Sequence, residues 1–246
     1  MPPPLTIVVP MAGRGSRFAD AGYADPKPLI PVCGQPMIKR VIDNLRPTRP
    51  HRFIFVCQRK HAEAYDLGRR LAAWAPGCHV VQLDGVTEGA ACTVLAAEGF
   101  LDDAPLMIAN SDQYLDLSID DYLDSGDGLD GLIMTMTAHD PKWSFVAVGA
   151  DGLAVRTAEK LAISSEATTG VYNFARGRDF ADVARETIAR GLRSNGEFYV
   201  APVYNLLIEK GARVGVRNIG AGMHNLGDPA ELEHFLTLPI ASRLAG

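Results

Sequence analysis

The feature that most constrains the fold is an apolar run, Leu5–Val9, that leads directly into a loop of glycines and arginines, Pro10–Phe18. A β-branched run without polar alternation is typical of a strand covered on both faces, as in parallel sheets. Glycines directly after such a strand let backbone N–H groups approach an anion, and Arg14 and Arg17 add fixed positive charge. The sequence therefore predicts an anion site at the end of the first strand.

Apolar runs of strand length alternate with amphipathic stretches through the first half of the chain. The further predicted strands are Arg52–Cys57, Val80–Leu83 and Pro105–Ala109. The predicted helices begin at Gln35-Pro36 and cover His61–Trp74 and Glu88–Ala97. This alternation is typical of an α/β fold with a doubly wound, mostly parallel sheet.

From Leu129 the pattern changes to strands with few helices between them. The predicted strands are Leu132–Ala138, Phe145–Val148, Ala154–Ala158, Gly170–Phe174 and Val214–Ile219. The predicted helices are Phe180–Leu192, Pro202–Lys210 and one that begins at Asp228-Pro229. No linker separates the halves, so we expect a single domain over 1–246, with a first half at about 5–112 and a mixed second half at about 129–236.

The charge balance limits the partners of the chain. Lys and Arg number 24 against 29 Asp and Glu in 246 residues, which gives a net charge of −5. A nucleic-acid-binding protein is more often basic, so an anionic substrate must be met by cations gathered locally. Lys27 joins Arg14 and Arg17 here, because Pro26 and Pro28 stiffen the backbone on both sides of it. Three cations around a glycine loop are what a polyphosphate site requires.

The cysteines and the N-terminal residues give information on the cellular compartment of the protein. None of the four cysteines has C-x-x-C spacing, which argues against a zinc knuckle and favours a reducing compartment. Cys57 and Cys92 lie in apolar runs and are predicted to be buried. Met1–Pro4 has no basic segment, and Leu5–Val9 is too short for a signal peptide or membrane span. We therefore expect a cytoplasmic protein that binds neither nucleic acid nor membrane.

Two better-known phosphate loops do not fit Pro10–Phe18. A dinucleotide loop requires G-x-G-x-x-G, but Phe18 stands at the third glycine position, and the Walker A spacing is absent. A glycine-rich turn with solvated arginines is the alternative that the loop alone leaves open.

The loop and the segment after it resemble a family signature. Gly13–Phe18 is followed by Pro26-Lys27-Pro28-Leu29 and then by Gly34-Gln35-Pro36-Met37. In this order the motifs resemble those of the sugar-1-phosphate nucleotidylyltransferases, or nucleoside-diphosphate-sugar pyrophosphorylases. Weaker similarity extends to about residue 236. Within the family, the chain is most similar to small bacterial members associated with capsule and surface-polysaccharide genes.

The resemblance implies a GT-A-like variant of the Rossmann fold, with a nucleotide-binding first half and an acceptor-binding second half. It implies attack by an acceptor phosphate on the α-phosphorus of an NTP, with release of pyrophosphate. Arg17 would hold the leaving phosphates and Lys27 the transferring phosphate, both as catalytic residues. The nucleotide-binding residues implied are Ala12, Gly13, Arg14, Gly15, Gly89 and Ser111.

The implied cofactor is Mg²⁺, bound by Asp112 and Asn225. Asp112 follows a predicted strand, which is where doubly wound sheets bind ligands, although it could instead cap the next turn. Asn225 falls in Asn225-Leu226-Gly227-Asp228-Pro229, where the family more often has Asp. An amide oxygen can still bind Mg²⁺, with less charge.

The resemblance assigns the acceptor to Glu159, Lys160 and Gly170, and we expect the segment 195–199, with Glu197, to add polar contacts to it. Lys160 would contact the acceptor phosphate, Glu159 its hydroxyl groups, and Gly170 would form one wall of the pocket. An adjacent Glu and Lys is also common on protein surfaces, and a strand glycine can serve backbone packing alone.

Three alternative functions stay open at this stage. The chain could be a cytidylyltransferase for a non-sugar phosphate, such as phosphocholine or a phosphorylated amino acid. It could be a GT-A-type glycosyltransferase, although Ser111-Asp112-Gln113 lacks the usual Asp-x-Asp. It could also be a non-catalytic nucleotide-sensing subunit. The identity of the base and the question of a homo-oligomer are open as well.

Overall fold

The structure is a computed structural model that describes residues 3–245. Met1, Pro2 and Gly246, which the single-domain prediction over 1–246 includes, lie outside the described residues. Thirteen strands are assigned within that range. They are β1 (Leu5–Pro10), β2 (Pro31–Val32), β3 (Gln35–Pro36), β4 (His51–Gln58), β5 (His79–Leu83), β6 (Leu106–Ala109), β7 (Gln113–Leu115), β8 (Gly131–Thr137), β9 (Ser144–Val148), β10 (Ala154–Glu159), β11 (Glu166–Phe174), β12 (Val214–Asn218) and β13 (Met223–Asn225).

Helices cover both faces of the central sheet. They are α1 (Ser16–Asp20), α2 (Met37–Leu45), α3 (Arg59–Ala64), α4 (Leu67–Trp74), α5 (Ala90–Leu95), α6 (Ile119–Asp124), α7 (Gly177–Ala189), α8 (Val203–Glu209), α9 (Pro229–Leu236) and α10 (Pro239–Ala245). Short 3₁₀ turns occur at Lys27–Leu29 and Glu98–Phe100. No helix among residues 3–245 is long and apolar enough to cross a membrane.

The main sheet has nine strands and is parallel on one side and mixed on the other. β1 lies between β4 and β6, and all three are parallel, as is β5 beside β4. β11 then runs antiparallel to β6 and β8, and β12 pairs in parallel with β8. This confirms the predicted α/β class, with a doubly wound, mostly parallel sheet and a mixed second half. The division into one domain with two halves stays a prediction.

The first strand has the environment that its sequence indicates. Val8 packs into the core on one face of the sheet, and Ile7 and Val9 pack into the core on the other. All three side chains are fully buried. A strand covered on both faces therefore explains why Leu5–Val9 has no polar alternation.

The predicted helix over His61–Trp74 is wrong, because two helices occupy this stretch. Asp66 has a left-handed backbone, with φ of 49°, and separates α3 from α4. The buried residues on either side are Ala62 and Leu67, five positions apart. A continuous helix would turn these two side chains toward different directions, whereas the break lets both reach the core.

Other differences are smaller. α5 begins at Ala90 rather than Glu88, and Cys92 is half-buried rather than buried. The sequence analysis did not predict α6 or α10. Both are short, and α10 has only two buried residues, so neither carries a strong periodic pattern.

The edge of β10 is closed by a side chain instead of another strand. Asn205 on α8 accepts the N–H of Thr157 at 2.8 Å and donates to its carbonyl at 3.0 Å. The amide thus makes the two hydrogen bonds that a neighbouring strand would make. Thr157 is buried, and it lies two residues before Glu159, so this contact also fixes the strand end that carries the predicted acceptor residues.

We expect Asn205→Ala to lower the free energy of unfolding by about 1–3 kcal/mol, because it leaves two buried backbone groups unpaired. Urea denaturation measures this difference. Asn205→Asp keeps the hydrogen-bond acceptor but loses the donor, so its free energy of unfolding should lie between those of wild type and Asn205→Ala. Glu209→Ala, at an exposed site on the same helix, should change stability by less than about 0.5 kcal/mol. Equal stability of Asn205→Ala and wild type would show that the edge strand does not need this contact.

Candidate active site

A cavity of about 450 Å³ opens at the carboxyl ends of β1 and β6. Because parallel strands all point their carboxyl ends to the same edge, loops from distant parts of the chain meet there. The cavity brings together most of the predicted site residues. These are Ala12, Gly13, Arg14, Gly15, Arg17, Lys27, Gly89, Ser111, Asp112 and Glu197.

The glycine loop is held in place by hydrogen bonds from Gln58, which the sequence analysis did not identify. Gln58 ends β4, beside β1, and is 4% exposed. Its amide nitrogen donates to the carbonyl oxygens of Ala12 at 2.8 Å and Gly13 at 3.1 Å. Both carbonyls are thereby turned away from the cavity. A polar residue directly after the apolar run Phe53–Cys57 was the available signal.

The loop then turns into α1 at Gly15. The φ of Gly15 is +64°, a left-handed conformation that favours glycine. A Cβ at this position would also touch the Cβ of Lys27 at 3.4 Å. The turn therefore brings the loop close to the backbone that carries Lys27.

Lys27 and Asp112 form an ion pair inside the cavity. The ammonium group of Lys27 donates to Oδ2 of Asp112, and the two side chains are only 22% and 20% exposed. Lys27 lies in the 3₁₀ turn Lys27–Leu29, and Asp112 lies just beyond β6. The sequence suggested no partner for Asp112 because the two residues are 85 positions apart.

Asn225 approaches the same carboxylate from the other side. β13 pairs with β7, and the N–H of Leu226 donates to the carbonyl oxygen of Asp112 at 2.8 Å. A Cβ built on Gly227 would lie 2.7 Å from Oδ2 of Asp112 and 2.8 Å from Oδ1 of Asn225. The missing side chain of Gly227 therefore lets the two oxygens come close to the backbone and to each other. Two hard oxygen ligands placed together in this way fit Mg²⁺, which takes its remaining ligands from water and phosphates.

Arg17 lies at the mouth of the cavity. Its side chain is 70% exposed, and its guanidinium is 3.5 Å from Oδ2 of Asp228. Oδ1 of Asp228 caps α9 by accepting the N–H of Glu231 at 3.0 Å. An exposed ion pair of this kind is weak, so the guanidinium is free to turn toward an anion in the cavity.

Gly89 serves a close contact between the two halves of the chain. Its φ is +143°, and a Cβ would lie 2.3 Å from the carbonyl oxygen of Phe198. The N–H of Ala91 donates to that same oxygen at 2.9 Å. Glycine at this position is thus required by backbone packing, and this packing places Glu197 at the cavity wall.

Glu159 and Lys160 lie at the end of β10, outside the residues that line the cavity. The ammonium group of Lys160 is 3.2 Å from the hydroxyl of Tyr199 and donates to it, and this hydrogen bond raises the pKa of Lys160. Burial raises the pKa of Glu159, although a hydrogen bond from Ser144 opposes the shift. The charge of Glu197 also raises the pKa of both groups, so three of the four predicted acceptor residues form an electrostatically coupled cluster.

Gly170 lies behind the cavity rather than on its wall. Its φ is +83°, and a Cβ would lie 2.1 Å from Nδ2 of Asn110 and 2.9 Å from Oε1 of Gln113. Its carbonyl oxygen also accepts the N–H of Asn110 at 3.1 Å. The glycine therefore supports the segment that leads to Asp112, and Asn110, which the sequence analysis did not single out, lines the cavity in front of it.

Comparisons with known proteins give the domain family and the fold that the chain shares with solved structures. Residues 7–123 match the MobA-like NTP transferase domain. The nucleoside-diphosphate-sugar pyrophosphorylase from Vibrio cholerae RC9 has a similar structure, with a TM-score of 0.83 and 28% identity over 94% of this chain and 100% of that chain. The inositol-1-phosphate CTP transferase from T. maritima shares the fold, with a TM-score of 0.76 and 17% identity over 98% of this chain and 94% of that chain. No curated protein sequence matches the chain significantly.

The parallel sheet, the glycine loop and the cations around one cavity define a nucleotide-binding transferase. The NTP transferase domain over residues 7–123 and the full-length likeness to the Vibrio enzyme support the sugar-1-phosphate nucleotidylyltransferase family. The chain is an enzyme that transfers a nucleotidyl group to a phosphorylated acceptor. These matches favour that activity over the glycosyltransferase and the non-catalytic alternatives.

We expect Gly227→Ala to weaken Mn²⁺ binding by roughly tenfold or more, because the new methyl group would push the oxygens of Asp112 and Asn225 away from their positions. Electron paramagnetic resonance of free Mn²⁺ measures the affinity. Gly68→Ala, at an exposed helix position with open space around it, is the matched control and should bind as wild type does. Unchanged Mn²⁺ affinity in Gly227→Ala would show that the metal is not bound by these two oxygens.

A second prediction concerns Gln58. Gln58→Leu keeps the size of the side chain but releases the carbonyls of Ala12 and Gly13, so the KM for the NTP should rise about tenfold, equivalent to about 1.4 kcal/mol. The KM for the acceptor should stay constant in steady-state kinetics. Gln82→Leu, on the neighbouring strand β5 and exposed, should leave both values unchanged. Equal rises in both KM values for Gln58→Leu would mean that it disturbs the whole sheet edge.

Proposed function

We propose that the chain transfers a nucleotidyl group from an NTP to a sugar 1-phosphate and forms an NDP-sugar and pyrophosphate. The observation that carries this proposal is the cavity in which the glycine loop, Lys27 and Asp112 surround one space. The acceptor cluster of Glu159, Lys160 and Glu197 supports it, because Glu197 lines the same cavity and acts on the charges of the other two.

The nucleotide phosphates are assigned to the loop over Ala12–Gly15, where Gln58 has turned two carbonyls away. Arg17 binds the β- and γ-phosphates, because its guanidinium stands at the cavity mouth and is held only by a weak ion pair. Lys27 binds the α-phosphate, at which charge shifts during transfer. Ser111 and Gly89 line the part of the cavity left for the ribose and base.

Asp112 and Asn225 would hold Mg²⁺ through Oδ2 and Oδ1, the atoms that converge beside Gly227. The ion neutralises phosphate charge when it is bound. With the carboxylate of Asp112 on the ion, Lys27 would be able to bind a phosphate oxygen instead. Both side chains thereby keep an opposite charge within reach, which matters because each is only about one-fifth exposed.

The transfer itself needs no covalent enzyme intermediate. An oxygen of the acceptor phosphate attacks the α-phosphorus in line, a new P–O bond forms, and the bond to the oxygen bridging the α- and β-phosphates breaks. Pyrophosphate leaves with that oxygen and its electron pair. The attacking phosphate is already anionic near neutral pH, so the protein supplies position and charge rather than a base.

The acceptor is assigned to the cluster at the end of β10. Lys160 stays protonated, since the hydrogen bond with Tyr199 raises its pKa, and it binds the acceptor phosphate. Glu159 and Glu197 accept hydrogen bonds from sugar hydroxyl groups. Gly170 contributes indirectly, by leaving space for the side chain of Asn110.

A non-sugar phosphate is the second candidate acceptor, and one observation favours it. The ammonium of Lys160 lies 5.4 Å from the centre of the Tyr199 ring, and the carboxylates of Glu159 and Glu197 both help to raise the pKa of that ammonium. Carboxylates and an aromatic face also suit a cationic group, as in phosphocholine or a phosphorylated amino acid. This alternative would make the chain a cytidylyltransferase.

We place the enzyme in the cytoplasm, in the synthesis of an activated sugar for capsule or another surface polysaccharide. The free thiols of all four cysteines support a reducing compartment. The partners are an NTP and a small phosphorylated acceptor, without nucleic acid or membrane. Whether copies of the chain associate is a separate question for solution measurements of mass.

One assay tests the proposed function and separates the two acceptors. The protein is incubated with Mg²⁺, each NTP in turn, and a panel of sugar 1-phosphates, phosphocholine and phosphoamino acids, and pyrophosphate is measured. Release of pyrophosphate only with a sugar 1-phosphate supports the first candidate. EDTA should abolish the reaction, and excess Mg²⁺ should restore it. Turnover in EDTA would contradict the metal assignment.

Lys27→Ala should lower kcat about 10²–10³-fold, because it removes a charge from the transferring phosphate. The variant should still fold, with a lower melting temperature, because Asp112 loses its partner. Lys39→Ala is the control, since Lys39 pairs with Asp43 on the surface of α2. It should keep normal kcat. Near-normal kcat in Lys27→Ala would show that Lys27 pairs with Asp112 for structural reasons only.

A further inference from the structure

The residue that faces Asp112 across Gly227 is an amide and not a carboxylate. A carboxylate presents two equivalent oxygens, whereas only Oδ1 of Asn225 can bind a cation, because Nδ2 carries hydrogens and partial positive charge. The value of Asn225 as a ligand therefore depends on which way its amide points. Something in the structure has to fix that orientation.

Two hydrogen bonds fix it. Nδ2 of Asn225 donates to Oε2 of Glu231, and the N–H of Gly227 donates to Oδ1 of Asn225 at 3.0 Å. A carboxylate can only accept, so Glu231 selects the nitrogen. The reversed amide would bring Oδ1 against the carboxylate and Nδ2 against the N–H of Gly227. The observed orientation leaves Oδ1 on the side of Asp112.

Glu231 is itself held from two directions. Its N–H donates to Oδ1 of Asp228, which fixes its place in the first turn of α9. Its Oε1 accepts from the ammonium group of Lys142 at 2.7 Å, and this hydrogen bond raises the pKa of Lys142. The carboxylate is 26% exposed, so it is partly shielded as well as doubly anchored.

We propose that Glu231 is a positioning residue for the metal site. It orients the amide of Asn225 so that Oδ1 faces the cation, and it adds beside the site the negative charge that Asn225 lacks. Glu231 acts through Asn225 and is not a ligand. This inference rests on the metal site at Asp112 and Asn225 proposed above.

A purely structural role is the competing explanation. An acidic residue in the first turn of a helix stabilises the helix through its dipole and as part of a capping box. That contribution would not depend on the residue at position 225. Orientation of the amide does depend on it, because an Asp at 225 has two equivalent oxygens and needs no orienting partner.

The experiment measures binding of Mn²⁺ alone by electron paramagnetic resonance, with Glu231→Ala made in two backgrounds. In the wild-type background it should weaken Mn²⁺ binding about tenfold, the usual effect of losing a partner of a metal ligand. In the Asn225→Asp background, Glu231→Ala should leave the Mn²⁺ affinity unchanged or raise it. No amide needs orienting there, and the substitution removes a carboxylate that repels the one introduced at position 225. Glu233→Ala, exposed on the same helix, should bind as wild type does.

Glu231→Gln provides a second variant that keeps the shape of the side chain. Its carbonyl can still accept from Nδ2, so its affinity should lie between those of wild type and Glu231→Ala. Thermal melts of every variant show whether the fold is intact.

Equal losses from Glu231→Ala in the two backgrounds would overturn the inference in favour of a helix role. Unchanged affinity in Glu231→Ala, with a loss in Asp112→Asn, would also overturn it while leaving the metal site in place. If Asp112→Asn binds Mn²⁺ as wild type does, the proposed metal site fails, and the inference about Glu231 fails with it.

Discussion

The ion pair between Lys27 and Asp112 is the interaction around which the site is arranged. It joins the turn after the glycine loop to the end of β6, and both side chains are largely shielded from water. Two opposite charges in such a place stabilise each other, and either one alone would be costly. On the proposed function, substrate binding replaces the pair by two new ones, phosphate with Lys27 and metal with Asp112. The site is therefore charged and ordered before the substrate arrives.

Glycines around the cavity allow parts of the chain to approach one another closely. Gly89 lets the backbone of Phe198 come near α5, and Gly170 makes room for Asn110. Gly227 differs, because its missing side chain lets an oxygen of Asp112 and an oxygen of Asn225 come close to the backbone. The first two glycines join the first half of the chain to the second, and the third serves the metal site that we propose. Each is needed for a different reason, although all three would look alike in a sequence motif.

Much of the fold could be predicted from the sequence because burial leaves a local pattern. Leu5–Val9 shows a strand covered on both faces, and Asp228 with the Pro after it marks the start of α9, where Asp228 does cap the helix. The sequence pattern did not predict the helix break at Asp66, because that break depends on how Ala62 and Leu67 reach the core. The sequence pattern also gave no role to Gln58, because a single polar residue at a strand end does not indicate which groups it will hydrogen-bond.

The sequence by itself determined the α/β class, the family resemblance and the residue types that a phosphate and metal site requires. These features are local, since periodicity and motif spacing are set by neighbours along the chain. Only the tertiary structure decided which of those residues meet. The pairing of Lys27 with Asp112 depends on the order of strands in the sheet, and the orientation of Asn225 depends on Glu231 in α9. Contacts between distant segments are selected by packing, and no local pattern records them.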